Sequence, residues 1–334
     1  MQDVSVSVIM PCYNEEAVIE ETYARVKKVL IENGYKKHEI LFIDDGSRDC
    51  TLDILRELAA RDDSVTVLRF SRNFGHQAAV SAGINYCRED VAIIMDADLQ
   101  DPPEIIPDMV RMHREEGYNV VYGVRTQRRG MSFFRKSTAK IFYRVLSAMS
   151  DVPIPHDAGD CRLIDRAVIN EFKRLGEKNK FVRGLISWIG FKQGPMRYSQ
   201  DQRLGGETKY TLRKMLRFAM TGFVYFSSKP LKLAILTGFA CIAAGLLMLV
   251  YAFVSKFYPG IGAVKGWTST LIIIVFFSGV QLMTVGVMGE YVASIFEEVK
   301  NRPEFIISER LNYTPSEQLL GRQNEELPKT HAFG

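Results

Sequence analysis

The first 125 residues alternate short apolar runs with stretches of helical periodicity. SVSVIM (5–10), EILFID (39–44), VTVLRF (65–70) and VAIIMD (91–96) are brief and rich in β-branched residues, which predicts strands. Helical patterns fill 15–33, 51–61 and 76–88 between them. Strands and helices in alternation predict an α/β fold, a parallel sheet covered on both faces. Such sheets bind ligands beyond the carboxyl ends of their strands. Each predicted strand here ends in polar residues: Tyr13-Asn14-Glu15, Asp44-Asp45-Gly46-Ser47, Ser71-Arg72-Asn73 and Asp96-Ala97-Asp98. Four polar strand ends on one rim predict a single site.

The pattern changes in the last third. Leu233–Val254 is a run of about 22 uncharged residues, and Trp267–Gly289 is a second of about 23. At 1.5 Å per residue each exceeds the ~30 Å core of a bilayer, so two transmembrane helices with a short external loop are expected. Two further stretches interleave apolar and basic residues. In 131–150, Phe133, Phe134, Ile141 and Phe142 alternate with Arg135, Lys136, Lys140 and Arg144, which fits a core-facing helix or a surface helix alike. In 209–226, Arg213, Lys214 and Arg217 lie beside Leu212, Met215, Leu216 and Phe218, and the neighbouring run makes this a helix at a membrane surface. Basic residues before the spans (Arg213, Lys214, Arg217, Lys229, Lys232) and after them (Lys300, Arg302) outnumber Lys256 and Lys265 of the loop. The positive-inside rule then puts both termini and the large domain in the cytoplasm. The expected organisation is 1–208 the α/β domain, 209–230 juxtamembrane, 231–290 membrane-spanning, and 291–334 a cytosolic tail.

With 334 residues, 47% hydrophobic and 25% charged, the chain is neither collagen-like, wholly disordered nor a small disulfide scaffold. A net charge of +4 and the lack of any nucleic-acid-binding signature argue against nucleic acid as a partner. Cys12, Cys50, Cys87, Cys161 and Cys241 are scattered without metal-ligand spacing and are expected to be reduced thiols. Val4, Val6 and Val8 alternate toward Pro11, so the N-terminus reads as a strand and not as a signal peptide.

Asp96 and Asp98 project to the same side of an extended chain, where two carboxylates can hold a hard divalent cation, Mg²⁺ or Mn²⁺. Asp44-Asp45-Gly46-Ser47-Arg48-Asp49-Cys50-Thr51 occupies a strand-to-helix turn. Asp49 or Thr51 can cap the following helix, which leaves Asp44 and Asp45 to accept hydrogen bonds from a ribose or base. There is no GxGxxG and no GxxxxGK[ST], so neither a dinucleotide fold nor a P-loop is indicated.

PCYNEE (11–16), DDGSRDCT (44–51), RNFGHQAAVSAG (72–83), DADLQDPPE (96–104) and GETKY (206–210) occur in that order. With the paired apolar runs and GEYVASIFEEVKNRP (289–303), the chain resembles the polyisoprenyl-phosphate glycosyltransferases over roughly residues 4–310. The resemblance implies a Rossmann-like GT-A fold, a nucleotide-sugar donor (a UDP-hexose), a divalent metal and a polyisoprenyl phosphate acceptor at the membrane. It implies Pro11, Tyr13, Glu15, Asp44 and Asp45 in the nucleoside pocket, and Asp96, Asp98 and Gln100 at the metal and diphosphate. Arg125 would approach the donor, and Arg203 and Lys209 would bind phosphates as their loop closes. Asp160, in AGDCRLIDR (158–166), matches the family's catalytic carboxylate, with Asp157 three residues earlier as the alternative. Cys161 stands where relatives usually place Phe. Relatives form tetramers, and Gly279, Gly286 and Gly289 would allow close helix packing in a homo-oligomer.

The expected reaction is inverting transfer of a hexose, glucose first, from the nucleotide sugar to undecaprenyl phosphate. A processive polysaccharide synthase would carry Gln-x-x-Arg-Trp, whereas Gln200-Asp201-Gln202-Arg203 is followed here by Leu204. A non-catalytic membrane carrier is the other alternative, and the intact Asp96, Asp98 and Arg203 argue against it.

Overall fold

The computed structural model describes residues 4–125, 158–178, 180–199, 236–241, 243–247, 250 and 267–313. They fall into two compact units, an α/β unit drawn from 4–125, 158–199 and 303–313, and a helical unit drawn from 236–302.

The α/β unit is built on β1 (Val6–Cys12), β2 (His38–Asp44), β3 (Val65–Phe70) and β4 (Val91–Ile94), with β1 pairing β2 and β4, and β2 pairing β3, all parallel. Strands β5 (Val120–Arg125), β6 (Ala158–Asp165), β7 (Gln193–Tyr198) and β8 (Ile307–Leu311) complete eight strands in the order β7-β5-β6-β4-β1-β2-β3-β8. The expected parallel sheet is therefore the centre of a mixed one. Strand β6 runs antiparallel to β4 and β5, and β8 antiparallel to β3.

Every residue of β1 is buried, which is why its sequence runs apolar without a clean alternation. Helices α1 (Ile19–Glu32), α2 (Thr51–Arg61) and α3 (His76–Tyr86) follow the predicted segments closely. Helix α1 buries Ile19, Thr22, Val26, Val29 and Leu30, a stripe at helical spacing. Helix α3 is small-residue-rich because it lies against β1: a Cβ on Gly83 would sit 2.1 Å from Ile9 Cγ2. Helices α4 (Ile106–Glu116), α5 (Arg166–Arg174) and α6 (Val182–Ile189) follow, and Asp165 caps α5 by accepting from Val168 N.

At the amino end of the sheet, Glu39 is buried with a full set of partners. Its carboxylate accepts from Ser7 Oγ (2.8 Å), Thr66 Oγ1 (3.1 Å) and Arg88 Nε (2.9 Å). One acid thus ties β1, β2 and β3 to the segment entering β4. Nearby, Asp62 joins α1 to the turn before β3, accepting from Tyr23 Oη (2.8 Å) and Ser64 N (2.9 Å) and facing Lys27 Nζ at 2.7 Å. Burial opposes charge on Asp62, but Lys27 and these donors outweigh it and hold the carboxyl well below the usual range.

Strand β8 corrects the expectation that 291–334 is a tail. Residues 307–311 form the edge of the sheet, and the approach to them is anchored, with Phe305 stacked on Phe70 at 5.1 Å. Glu309 accepts from Arg56 Nε (3.1 Å) and Nη2 (2.8 Å), and Asn312 Nδ2 donates to the carbonyls of Ala59 (2.6 Å) and Val65 (3.0 Å). Helix α7 (Trp267–Val299) contains the predicted second apolar run and extends ten residues past its expected end at Gly289. Among the described residues it is the one helix long and apolar enough to cross a membrane, over Phe276–Val299, and Leu282 and Met283 are 73% and 75% exposed on it. Of the first run, 233–254, helical residues are described between Leu236 and Leu247, and a second membrane-length helix is not seen among the described residues. The amphipathic segments 131–150 and 209–226, the loop between the runs and the tail beyond 313 lie outside the described residues.

Glu39→Ala leaves Arg88 without its buried counter-charge and is expected to cost about 3–5 kcal/mol in chemical denaturation. A loss below about 1 kcal/mol would refute the central role of Glu39. The stabilisation from Asp62 is complete above its unfolded pKa, about 3.9, and fades as pH falls further. The gap between wild type and Asp62→Asn in urea denaturation should therefore narrow from pH 7 to pH 3, and a constant gap would contradict the assignment.

Candidate active site

Strands β1 to β4 point their carboxyl ends at one rim, and the polar residues that follow them meet there. The turns after β1 and β2 are stitched together. Asn14 N donates to Ser47 Oγ (3.0 Å), Glu15 N to Thr51 Oγ1 (2.9 Å) and Arg48 N to Asn14 Oδ1 (2.9 Å). Pro11 is buried in β1 opposite Ile43, and Tyr13, just past the strand, is 40% exposed.

Asp44 is fully buried at the end of β2. Its Oδ1 accepts from Ser47 N (3.0 Å), while Oδ2 has no hydrogen-bond partner among the described residues and lies 3.8 Å from Arg69 Nε. Asp45 is spent differently. Its two oxygens accept from Phe74 N (2.6 Å) and Gly75 N (2.9 Å), so it anchors the turn that starts α3. Burial pushes the Asp45 carboxyl above its ordinary value, and the two amides oppose that rise. Gly46 permits this crossing. It has φ +71°, and a Cβ there would lie 2.7 Å from the Arg72 carbonyl carbon.

The register of β6 brings the second group together. Ile94 faces Arg162 across antiparallel strands, so two residues onward on β4 and two back on β6 set Asp96 beside Asp160. His76, the first residue of α3, reaches both: its Nε2 is 3.7 Å from Asp96 Oδ1 and 3.9 Å from Asp160 Oδ2. Asp98 accepts from Gln100 N (3.1 Å) and Gln100 Nε2 (2.5 Å) in a turn where Leu99 has φ +57°. Asp101 is buried and accepts from Tyr198 Oη.

Negative charge is crowded here. Burial is the main force pushing Asp96 up to about 6, Asp160, Asp98 and Asp101 push the same way, and His76 opposes them. Asp160 goes the opposite way. Burial would raise it, but the Arg183 guanidinium forks onto it, with Nε 2.6 Å from Oδ1 and Nη2 on Oδ2, and holds it down at about 2. Arg162 is buried, and burial together with Arg183 lowers it to about 10, still a cation at neutral pH.

Of the residues singled out in the sequence, Asp96, Asp98, Gln100 and Asp160 gather at the end of β4, and Asp44, Asp45, Tyr13 and Glu15 gather at the ends of β1 and β2. Arg125 closes β5 opposite Tyr198 of β7. Arg203, Lys209 and Asp157 lie outside the described residues. Cys161 is buried in the core cluster. Among the described residues no group of three or more His, Cys, Asp or Glu side chains is placed to hold a metal, so Asp96 and Asp98 would act as a pair. Sequence reasoning missed His76 and Arg183. His76 stood unremarked within RNFGHQAAVSAG, whereas Arg183 is 23 residues from its partner and carries no local signal.

Residues 7–172 match the model of glycosyl transferase family 2. "Uncharacterized glycosyltransferase YkcC" of Bacillus subtilis (strain 168) is 49% identical over 90% of this chain and 92% of its own. The "Bactoprenol glucosyl transferase" of Shigella phage SfII is 35% identical over 90% and 97%. The mannosyltransferase PcManGT from Pyrobaculum calidifontis, solved in complex with GDP-Man and Mn²⁺, aligns over 88% of this chain and 86% of its own at 17% identity and a TM-score of 0.45. The chain belongs to glycosyl transferase family 2, with a GT-A-like α/β fold on a mixed sheet. Its identity with bactoprenol glucosyl transferases bears out the resemblance to the polyisoprenyl-phosphate glycosyltransferases.

Gly46→Ala forces an L-residue into the left-handed region, at about 1–2 kcal/mol, and drives a methyl into the Arg72 backbone. Urea denaturation should report at least that loss. An unchanged midpoint would show that the 44–47 turn relaxes freely.

Proposed function

We propose that the chain transfers glucose from UDP-glucose to a polyisoprenyl phosphate, undecaprenyl phosphate in bacteria, at the cytoplasmic membrane face and with inversion at the anomeric carbon. The observation that carries this reading is the meeting of the Asp96–Asp98 turn with Asp160, held by Arg183, on one sheet rim. Relatives 34–35% identical that are named bactoprenol glucosyl transferases support both the sugar and the lipid. The membrane-length α7 supports an acceptor presented at a bilayer.

In this reading Pro11, Tyr13, Glu15, Asp44 and Asp45 line the nucleoside pocket. The buried Asp44 Oδ2, without a hydrogen-bond partner among the described residues, suits an N–H of the base. Asp45 supports the pocket from beneath by fixing the 71–75 turn. Arg125, Arg203 and Lys209 would meet donor and phosphate oxygens. Asp96, Asp98 and Gln100 fit a hard divalent cation, Mg²⁺ or Mn²⁺. Burial and three neighbouring carboxylates disfavour charge on Asp96, a penalty that a cation would relieve, and two carboxylates would leave positions for diphosphate oxygens. Such an ion, when bound, offsets the charge that develops on the departing nucleoside diphosphate.

The acceptor needs little activation. A phosphate monoester has a second pKa near 6 and is largely a dianion at neutral pH. Asp160, tied to Arg183 and held ionised, is a weak base, so its contribution is orientation and field at the acceptor side. An acceptor phosphate oxygen then bonds to the anomeric carbon as the bond to the diphosphate oxygen breaks on the opposite face, which inverts that centre.

Membranes containing the protein and undecaprenyl phosphate, supplied in turn with labelled UDP-glucose, UDP-GlcNAc, UDP-galactose and GDP-mannose, should yield an acid-labile lipid-linked monosaccharide from UDP-glucose. Asp98→Ala should reduce the rate about 100-fold or more, and chelation of divalent ions should abolish it until Mg²⁺ or Mn²⁺ is restored. A growing water-soluble polymer, or no transfer from any donor, would overturn the reading.

A further inference from the structure

From Pro303 onward the chain belongs to the α/β unit. Strand β8 begins opposite Phe70, the last residue of β3, and Ser71 N donates to Ile306 O at 2.9 Å. Just before this point Glu304 turns inward. Its Oε2 accepts from Ser81 Oγ of α3 (2.9 Å) and pairs with Lys180 Nζ at 3.4 Å. Both charged side chains are nearly covered, 13% exposed for Glu304 and 8% for Lys180, and Lys180 Nζ also stands 5.2 Å from the Phe172 ring centroid.

Two elements leading to the candidate site are joined at this point. Helix α3 begins with His76, which lies within 4 Å of both Asp96 and Asp160, and its next residue, Gln77, accepts from Val182 N at 3.0 Å through Oε1. Val182 opens α6, and Arg183, the next residue, forks onto Asp160. Lys180 precedes that helix by two residues, while Ser81 lies on α3 five residues beyond His76. The Glu304 carboxylate therefore clamps the approach to α6 against α3, on the segment whose first turn orients Asp160. A pair this well covered is weak evidence for added stability, but removing either member strands the other charge and disturbs the contacts around it.

We propose that Glu304 is a positioning residue for the acceptor side of the site: through Lys180 and Ser81 it fixes the start of α6 and so the Arg183 fork on Asp160. This rests on the reading of Asp160 as the acceptor-side carboxylate. The nucleoside side, built on the turns after β1 and β2, shares no residue with the clamp.

The test uses the full chain in lipid nanodiscs, comparing wild type with Glu304→Gln, Ser81→Ala and the charge swap Glu304→Lys with Lys180→Glu. Hydrogen exchange is read first, because it does not require activity. Amides of 182–186 should exchange on the order of ten-fold faster in Glu304→Gln, with the strands β1, β2 and β4 unchanged. Turnover to lipid phosphate, per folded enzyme, should fall about 10–100-fold while the dissociation constant for UDP stays within about two-fold. Ser81→Ala, which removes one hydrogen bond and keeps the ion pair, should fall between, and the swap should recover part of the loss. Unchanged exchange at 182–186, or equal losses of UDP binding and turnover, would overturn the positioning role. A wild-type chain that transfers nothing would overturn the proposed reaction instead, and the exchange data would still decide the role of Glu304.

Discussion

Repulsion among carboxylates sets the terms on which the rim beyond β4 can exist. Asp96, Asp98, Asp101 and Asp160 converge beyond the end of β4, and the push of burial and neighbours on Asp96 measures how unwelcome that much charge is. The protein answers each acid separately. Asp160 receives a guanidinium fork, Asp101 a tyrosine hydroxyl, Asp98 two donors of Gln100, and Asp96 the imidazole of His76 at the edge of reach. The guanidinium brings Asp160 a countercharge, whereas the tyrosine hydroxyl and the Gln100 donors are neutral and ease the repulsion at Asp101 and Asp98 without cancelling their charge. Arg162, buried nearby, adds positive potential without spending a surface side chain.

The central sheet was legible in the sequence because its signals are local. Strands β1 to β3 and helices α1 to α3 fall where apolar runs and helical periodicity put them, and the polar residues that follow the strands meet at one rim as a parallel sheet requires. The carboxylates were legible for the same reason, since a short run such as Asp96-Ala97-Asp98 closing a buried strand is visible without knowing its neighbours. Asp160 was legible only through resemblance. Nothing within AGDCRLIDR says that β6 will turn antiparallel and lay this residue next to Asp96.

What stayed hidden depends on contacts distant in sequence. Arg183 is an ordinary arginine in an amphipathic segment until the fold sets it against Asp160. Strand β8 fell within the segment read as a tail, and ISERL is short and half polar. Its partners, Arg56, Arg69 and the carbonyls of Ala59 and Val65, lie more than 200 residues upstream. Asp45 was read as a group of the nucleoside pocket, and the fold adds that its oxygens accept from the Phe74 and Gly75 amides, a structural role that composition does not reveal.

The strand that closes the sheet also imposes an order on synthesis. Strands β1 to β7 are complete by Tyr198, but the edge of β3 is covered only when residues 307–311 arrive, after α7 has been made. Roughly a hundred residues separate the two events, on the order of 5–20 s of translation. For that interval the nascent domain presents a bare edge with open N–H and C=O groups, the kind of surface that pairs with other chains.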